Sequence, residues 1–276
     1  MTHRPSRPSR PSRPLRVLAP ALAAGVLLTT AACSDGDDSG PARADTSEIS
    51  SSPLAQESPA PLTEAGARAA LVTEADLEDD WTQVKNAADW RDSLLVGKVD
   101  VADFLTGKAD AADCQKLLDR LYSEDLLGKP SGASALTGFQ EGESRLLYQV
   151  AAYDKAGLDS SFDWLGSLPV KCDQFTAKDS SGAARTVQVT GFSLPAEGDA
   201  RQGLRVTVQG TSGGAPTTLT LDVAAVRVGT DAITVTNGGL DGADRDSTEQ
   251  AVKLGTPRLK DVQAGRTPSA DPGEID

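Results

Sequence analysis

The sequence predicts an exported α+β domain, in which a twisted antiparallel sheet of about five to seven strands packs against helices. Three observations predict it. An N-terminal apolar run indicates export, helix-like spacing dominates the next part of the chain, and apolar–polar alternation dominates the second half. The 276 residues divide into a signal peptide (1–32), a tether (33–61), one domain (62–263) and a tail (264–276).

The first 32 residues have the order of a secretory signal. Five arginines and no acid precede the apolar run Val17–Leu28, and small residues then lead to Cys33. About a dozen apolar residues are too few for the roughly 20 of a spanning helix. The sequence Thr30-Ala31-Ala32-Cys33 resembles a bacterial lipobox, which implies acylation of Cys33 and anchoring in the bilayer at the extracytoplasmic face of the cell membrane. An ordinary cleaved signal with a stray cysteine is the alternative.

The two polar ends of the mature chain are expected to lack structure. Residues 34–61 are rich in serine, aspartate, alanine and proline, with almost no large apolar side chains. Such a segment cannot bury a core, so we expect a disordered tether with an end-to-end distance on the order of 30 Å. Residues 264–276 are expected to form a second polar tail.

The charge excludes several partners. The chain has 27 basic and 40 acidic residues, and removal of a signal with five arginines and no acid changes the net charge from −13 to −18. A strongly acidic surface repels nucleic acid and anionic headgroups. Aromatic residues make up 4% of the chain, so a stacking platform for single strands is not indicated either.

Catalytic chemistry is also restricted, because the only histidine is His3. The mature chain therefore lacks Ser-His-Asp and Cys-His arrangements and histidine metal sites, and we predict no catalytic residue, metal or cofactor. The segment Gly210–Gly214 matches a serine-hydrolase elbow, but it joins two predicted strands and is interpreted as a hairpin loop. Asp241, Asp244 and Asp246 can offer oxygen ligands to calcium, yet a loop and a helix cap are favoured because the EF-hand order is absent.

Two cysteines remain in the folded region, Cys114 and Cys172. In an oxidising exterior an even pair favours a disulfide, and two separate buried thiols are the alternative.

Helices are predicted first along the domain. Thr63 and Thr73 are expected to cap two helix starts, and the acids within 74–80 are expected to form a solvated face. The clearest helix is Asp110–Tyr122, in which one face is apolar at three- and four-residue spacing. That face consists of Cys114, Leu117, Leu118 and Leu121. For the first helix the expected apolar positions are Leu62, Ala65, Ala69 and Leu71.

The middle of the domain combines an extended and a helical segment. Arg145–Tyr153 has apolar residues of both parities, as expected for a strand that is covered on both faces. Asp159–Leu168 is a helix candidate that Pro169 should end. The aromatic side chains here can line a ligand cleft or belong to the core, and the candidates for a cleft are Tyr148, Phe162 and Trp164.

The last part is predicted to be a β-meander followed by a helix. Three strands within 186–223 alternate cleanly, but Val226 and Val228 have the other parity, which we interpret as a β-bulge at Ala224-Ala225. A turn at 229–231 leads into the final strand. Asp246 or Ser247 is expected to cap the final helix, and Pro257 is expected to kink it.

Taken in order, these segments resemble a known family. They are Leu62-Thr63-Glu64, Ala75-Asp76-Leu77 with Trp81, Cys114 in a helix, Trp164 shortly before Cys172, and Asp231–Thr236. Over roughly 62–262 the chain is similar to the extracellular sensor domain of PknH-type actinobacterial receptor kinases and to free lipoproteins with such domains. The resemblance implies a twisted antiparallel sheet with helices around a cleft for an unidentified small ligand.

The sequence therefore predicts a membrane-anchored, non-catalytic sensor or ligand-binding lipoprotein. Its expected partners are the bilayer, through acylated Cys33, and a small molecule or an envelope protein. A carrier of lipid or another apolar molecule is the alternative, and a purely structural module that binds an envelope protein is a third class. A deep apolar tunnel would favour the carrier, whereas a shallow groove with a few polar groups would favour the sensor.

Overall fold

The structure is a computed structural model in which residues 61–77, 81–240 and 242–269 are described. It confirms the α+β class: antiparallel strands form one nine-stranded sheet and one two-stranded ribbon, and five α-helices are present in the described residues. Cys33, the signal peptide and nearly all of the predicted tether lie outside the described residues. In the described part of the chain, no helix is long and apolar enough to span a membrane.

The eleven strands are β1 (Thr82–Val84), β2 (Leu95–Val96), β3 (Val99–Asp100), β4 (Lys108–Ala109), β5 (Ser134–Glu141), β6 (Ser144–Ala152), β7 (Gln174–Lys178), β8 (Ala184–Phe192), β9 (Ala200–Ser212), β10 (Ala215–Val228) and β11 (Asp231–Gly239). The order in the large sheet is β1-β5-β6-β11-β10-β9-β8-β7-β4, while β2 and β3 pair with each other. The sheet thus has more strands than expected. Its two edge strands have only three and two residues, which is too short for alternation to reveal.

The helices are α1 (Glu64–Ala69), α2 (Val101–Leu105), α3 (Ala112–Arg120), α4 (Lys155–Lys171) and α5 (Arg245–Gln263). Side chains that commonly cap helices precede α1 and α5. Thr63 accepts a hydrogen bond from the Gly66 amide at 3.0 Å. Asp244 accepts from the amides of Asp246 and Ser247, so the cap of α5 lies two or three residues before the two predicted candidates.

Both faces of the sheet are covered at its centre. The α5 face carries α5 and α1, and the α4 face carries α4 and α3. Strands β6, β10 and β11 contribute buried side chains to both sides, which confirms the prediction of a doubly covered strand at 145–153. In the outer part of the sheet, from β8 to the start of β10, side chains that point to the α4 face are buried, and those that point to the other face are more exposed to solvent.

This double cover corrects the predicted β-bulge at Ala224-Ala225. The pairing of β10 with β9 and with β11 keeps one register along the whole strand, so no residue is inserted. Instead, Val223 and Ala225 belong to the core of the α4 face, while Ala224 and Val226 belong to the core of the α5 face. The parity changes because the strand passes from a region covered on one side into a region covered on both.

Three smaller predictions about helices and loops have clear outcomes. Helix α4 continues through Pro169 to Lys171 instead of ending before the proline. In α1 the buried alanine is Ala67, and Ala65 is exposed, so the predicted apolar face was wrong. The segment at 210–214 is a hairpin, as predicted, because the two glycines between Ser212 and Ala215 both have the positive φ that such a turn needs.

Candidate functional site

A half-enclosed depression lies at one end of the sheet, where β6 ends and β10 turns into β11. Its volume is about 460 Å³, and it is more apolar and more enclosed than the other depressions described below. The first described residues of the domain and the last turn of α5 both border it. Its lining consists of Pro61, Leu62, Gly132, Ala152, Tyr153, Gly229, Thr230, Asp231 and Gln263.

Asp231 is the charged group of this depression. It is the first residue of β11 and is paired with Val228 across the turn, and only 3% of its surface is exposed. Its Oδ2 accepts a hydrogen bond from Nε2 of Gln263 at 2.8 Å, and the same Nε2 donates to the carbonyl of Val228 at 2.9 Å. Among the described residues no lysine or arginine forms an ion pair with Asp231.

The environment of Asp231 determines what it can bind. Burial raises the pKa of its carboxyl group above the ordinary aspartate value, and the hydrogen bond from Gln263 opposes this only in part. A buried carboxylate with one neutral donor and no cation favours a ligand that brings a positive charge or further hydrogen-bond donors. The apolar atoms around it suit the carbon skeleton of such a ligand.

The other depressions are shallower features of the surface. The largest, of about 600 Å³ beside Gln83 and Thr137, is wide open to solvent. Two more, of about 440 and 190 Å³, lie beside Phe192 and Trp90 and are lined mainly by polar atoms. Buried side chains fill both faces of the sheet where the helices cover it, so these described surfaces form no deep apolar tunnel.

The predicted disulfide is present. Cys114 of α3 and Cys172 at the end of α4 are bonded, with a Cα–Cα distance of 5.6 Å. Both residues are buried in the core of the α4 face. The bond therefore ties α3 to α4 and leaves neither thiol available for chemistry.

The three cleft candidates do not come together. Tyr148 lies on the α5 face, where its ring contacts Gly255, whereas Phe162 and Trp164 of α4 lie in the core of the α4 face. All three are buried. A different aromatic residue, Tyr153, borders the depression. Ligand binding by Tyr148, Phe162 and Trp164 stays a prediction.

Acidic residues considered above form a helix cap and an ion pair. Asp244 is the cap of α5, Asp241 lies outside the described residues, and the described residues contain no group of three metal-ligating side chains. Asp76 corrects the expected solvated face, because it is 2% exposed and both its carboxylate oxygens accept from Nη2 of Arg258 at 2.7–2.8 Å. This ion pair joins the short 3-10 helix Glu74–Asp76, which follows α1, to α5.

Sequence reasoning missed Asp231 as a site residue, because the sequence placed it only in a turn and in the resembling segment Asp231–Thr236. The alternation contained the signal, because Asp231 has the same parity as Ile233 and Val235, both of which are buried on the α5 face. An acid at an inward position next to a turn indicates a buried carboxylate. Its partner Gln263 is more than 30 residues away and could not be found by spacing.

Solved structures similar to this chain include two mycobacterial proteins. The extracellular domain of PknH from Mycobacterium tuberculosis shares 14% identity, with 75% of this chain and 100% of that chain covered and a TM-score of 0.44. An uncharacterised protein of Mycobacterium smegmatis, the Rv0999 ortholog, shares 17% identity over 66% of this chain and 85% of that chain, with a TM-score of 0.33. The resemblance expected from the sequence is thus found among solved structures, and at these identities it concerns the fold alone. No protein-family model matches the chain, and no curated protein matches its sequence.

Proposed function

We propose that this chain is a lipid-anchored, extracytoplasmic sensor or ligand-binding domain without catalytic activity. Its ligand is a small molecule with a cationic or hydrogen-bond-donating group, which binds in the depression around Asp231. The observation that carries the proposal is the buried carboxylate of Asp231 in the lining of a half-enclosed, largely apolar depression, where the described residues give it one neutral donor and no cation.

The size of the depression favours a sensor over a carrier. A volume of about 460 Å³ lies within the range of small-molecule sites, which is roughly 300–1,000 Å³. A carrier of lipid chains needs a long apolar cavity, and the described faces of the sheet are filled by side chains. A carboxylate at the base of the site would also be unfavourable for an alkyl chain.

The position of the depression suits signalling. Pro61, the last residue of the predicted tether, and Leu62, the first residue of the predicted domain, both border it. A ligand on Asp231 would contact the point at which the domain joins its membrane attachment. No catalytic step is part of the proposal, because the chain lacks histidine after His3 and Cys114 is bonded to Cys172.

Native mass spectrometry of protein purified from its own host membranes tests the proposal. We expect a co-purified small molecule that is retained by wild type and lost in Asp231→Asn, which removes the negative charge, and in Thr230→Trp, which places a large side chain at the exposed rim. Asp163→Asn is the matched control, since Asp163 is an exposed aspartate of α4 outside the depression.

The outcomes separate the alternatives. Loss of the molecule from both depression variants with retention in the control supports the proposal. A bound species with the mass of a lipid that is unaffected by Asp231→Asn would favour the carrier. Absence of any small molecule, together with a co-purifying envelope protein, would favour the module that binds a protein partner.

A further inference from the structure

Two cations of α3 lie against one aromatic ring of α4. Nζ of Lys116 is 4.1 Å from the centroid of the Trp164 ring, and Cζ of Arg120 is 5.5 Å from it. The two residues are four positions apart and therefore share one face of the helix. Like charges at this spacing repel each other, whereas one cation on an indole is enough for a favourable contact.

Neither cation has an acidic partner within ion-pair distance in the described part of the chain. The two acids of α3 have other partners: Asp113 pairs with Nζ of Lys171 at 2.8 Å, and Asp119 accepts from Nε2 of Gln115 at 2.9 Å. Burial lowers the pKa of Lys116, and repulsion by Arg120 lowers it further. Asp113 and Asp125 act on Lys116 and Arg120 only at longer range, so these two half-buried cations share one ring with no carboxylate at ion-pair distance among the described residues.

Two neutral donors beside these cations also lack partners. The indole Nε1 of Trp164 and the hydroxyl of Tyr153 are both buried, and neither has a hydrogen-bond partner among the described residues. Their residues are 7% and 6% exposed. Tyr153 lies within electrostatic reach of Arg120, and the exposed acids Glu124 and Asp125 lie nearby. Buried donors are almost always satisfied, so two unpartnered ones next to cations that lack an ion pair indicate a missing acceptor.

We infer that Lys116, Arg120, Trp164 and Tyr153 form a binding site for a small oxyanion, either a phosphate or a carboxylate group. The ammonium and guanidinium groups provide charge, and the indole N–H and phenol O–H provide directional donors. The only acceptor that the described residues give to these donors is the carbonyl of Leu126, at 3.2 Å from Nη1 of Arg120. This site is on the α4 side of the sheet, and it shares Tyr153, but not Asp231, with the depression described above.

Trp164 offers a direct probe, because the chain has three tryptophans and so three indole N–H signals in a proton–nitrogen spectrum. The Trp164 signal is assigned with Trp164→Phe. Sodium phosphate and sodium acetate are then titrated separately into the whole mature protein at constant ionic strength, with sodium chloride as the reference. We expect a saturable shift of the Trp164 signal with phosphate, acetate or both, while those of Trp81 and Trp90 stay in place.

Matched charge variants complete the test. Lys116→Gln and Arg120→Gln should each weaken binding about tenfold, since each removes one charge-assisted contact. Lys253→Gln, which removes an exposed lysine from α5, should leave it unchanged. The stronger of the two titrants identifies the anion class. An indole shift that chloride reproduces, or that both α3 variants leave unaltered, would overturn the site and show that the two cations only join α3 to α4.

Discussion

At the scale of single residues, Asp231 connects the proposed ligand site to stability. Burial raises the pKa of its carboxyl group in the folded state, so the folded protein holds the proton more tightly than the unfolded chain does. The contribution of this group to stability is therefore most favourable below the ordinary aspartate pKa of about 3.9, and it is lost as the pH rises through the folded-state value. At neutral pH the ionised carboxylate destabilises the ligand-free domain.

The first prediction follows from that sign. In ligand-free protein, Asp231→Asn should raise the melting temperature at pH 7, because the amide oxygen can still accept from Gln263 while the buried charge is gone. The gain should shrink as the pH falls and vanish below the ordinary aspartate pKa. Thermal unfolding from pH 3 to pH 8 measures it, with Asp163→Asn as control. A melting-temperature difference between Asp231→Asn and wild type that stays constant from pH 3 to pH 8 would contradict a raised pKa of Asp231.

A second residue-scale prediction concerns Gly255 of α5. A Cβ at this position would collide with the ring and hydroxyl of Tyr148, which is fully buried and rigid. Gly255→Ala should therefore destabilise the protein by about 1–3 kcal/mol, although alanine is ordinarily the better helix residue. Gly166→Ala in α4 is the control, since its Cβ would meet only the flexible end of Gln202.

The hydroxyl of Tyr148 allows the cause to be checked. It has no hydrogen-bond partner among the described residues, so Tyr148→Phe should cost little by itself. Combined with Gly255→Ala it should restore part of the lost stability in urea unfolding, because the hydroxyl is the nearest of the colliding atoms. Strictly additive effects would show that the two residues do not compete for the same space.

At the scale of elements, β10 tests the explanation for the parity change. Val223 and Val226 are 1% and 0% exposed and lie on opposite faces of the sheet. Replacing either with threonine keeps the shape but buries a hydroxyl, which should cost about 1–3 kcal/mol at each site in chemical unfolding. Thr218→Val, at the exposed start of the same strand, should change stability little. Tolerance of threonine at one of the two valines would indicate that its face is wet.

The disulfide joins two elements that are far apart in sequence. It closes a loop between positions 58 residues apart, for which chain-entropy arguments give about 4 kcal/mol of stabilisation. The double variant Cys114→Ser with Cys172→Ser should therefore melt at a markedly lower temperature. Reduction of the wild type should produce a similar decrease, and reductant should have no further effect on the double variant. Alkylation of both cysteines in protein taken from cells without reductant would refute the bond.

Sequence patterns predicted the strands whose one face is wet and the helices with a single apolar face. Strands β8 and β9 and helix α3 are of this kind. The alternation pattern was misleading in β10. There, helices cover both faces of the sheet, so consecutive residues of the strand are buried. Short edge strands contain too few residues to show a period. The candidate site was not predicted because Asp231, Gln263 and Leu62 are brought together only by tertiary packing.

At the scale of the whole molecule, the proposed membrane attachment would depend on Cys33. The lipobox implies that acylation of this cysteine holds the mature chain on the membrane. Cys33→Ala should move the protein from the membrane fraction to unprocessed precursor or to the medium, while the folded domain keeps its melting temperature. Cell fractionation with intact-mass measurement tests this, and Cys114→Ser with Cys172→Ser, which should stay in the membrane fraction, is the control. An unchanged fraction and mass in the Cys33 variant would disprove lipid anchoring.

β11 is the last strand along the chain, yet it lies at the middle of the sheet between β6 and β10. Until residues 231–239 are available, β1-β5-β6 and β10-β9-β8-β7-β4 have no hydrogen-bonded strand between them, and α5 is also missing from its face. A chain threaded from its N-terminus through a secretion channel therefore cannot complete its sheet prematurely, because the joining contacts are long-range and form last. For the export that the N-terminal sequence predicts, we expect this topology to keep the chain translocation-competent until nearly all of it has crossed the membrane.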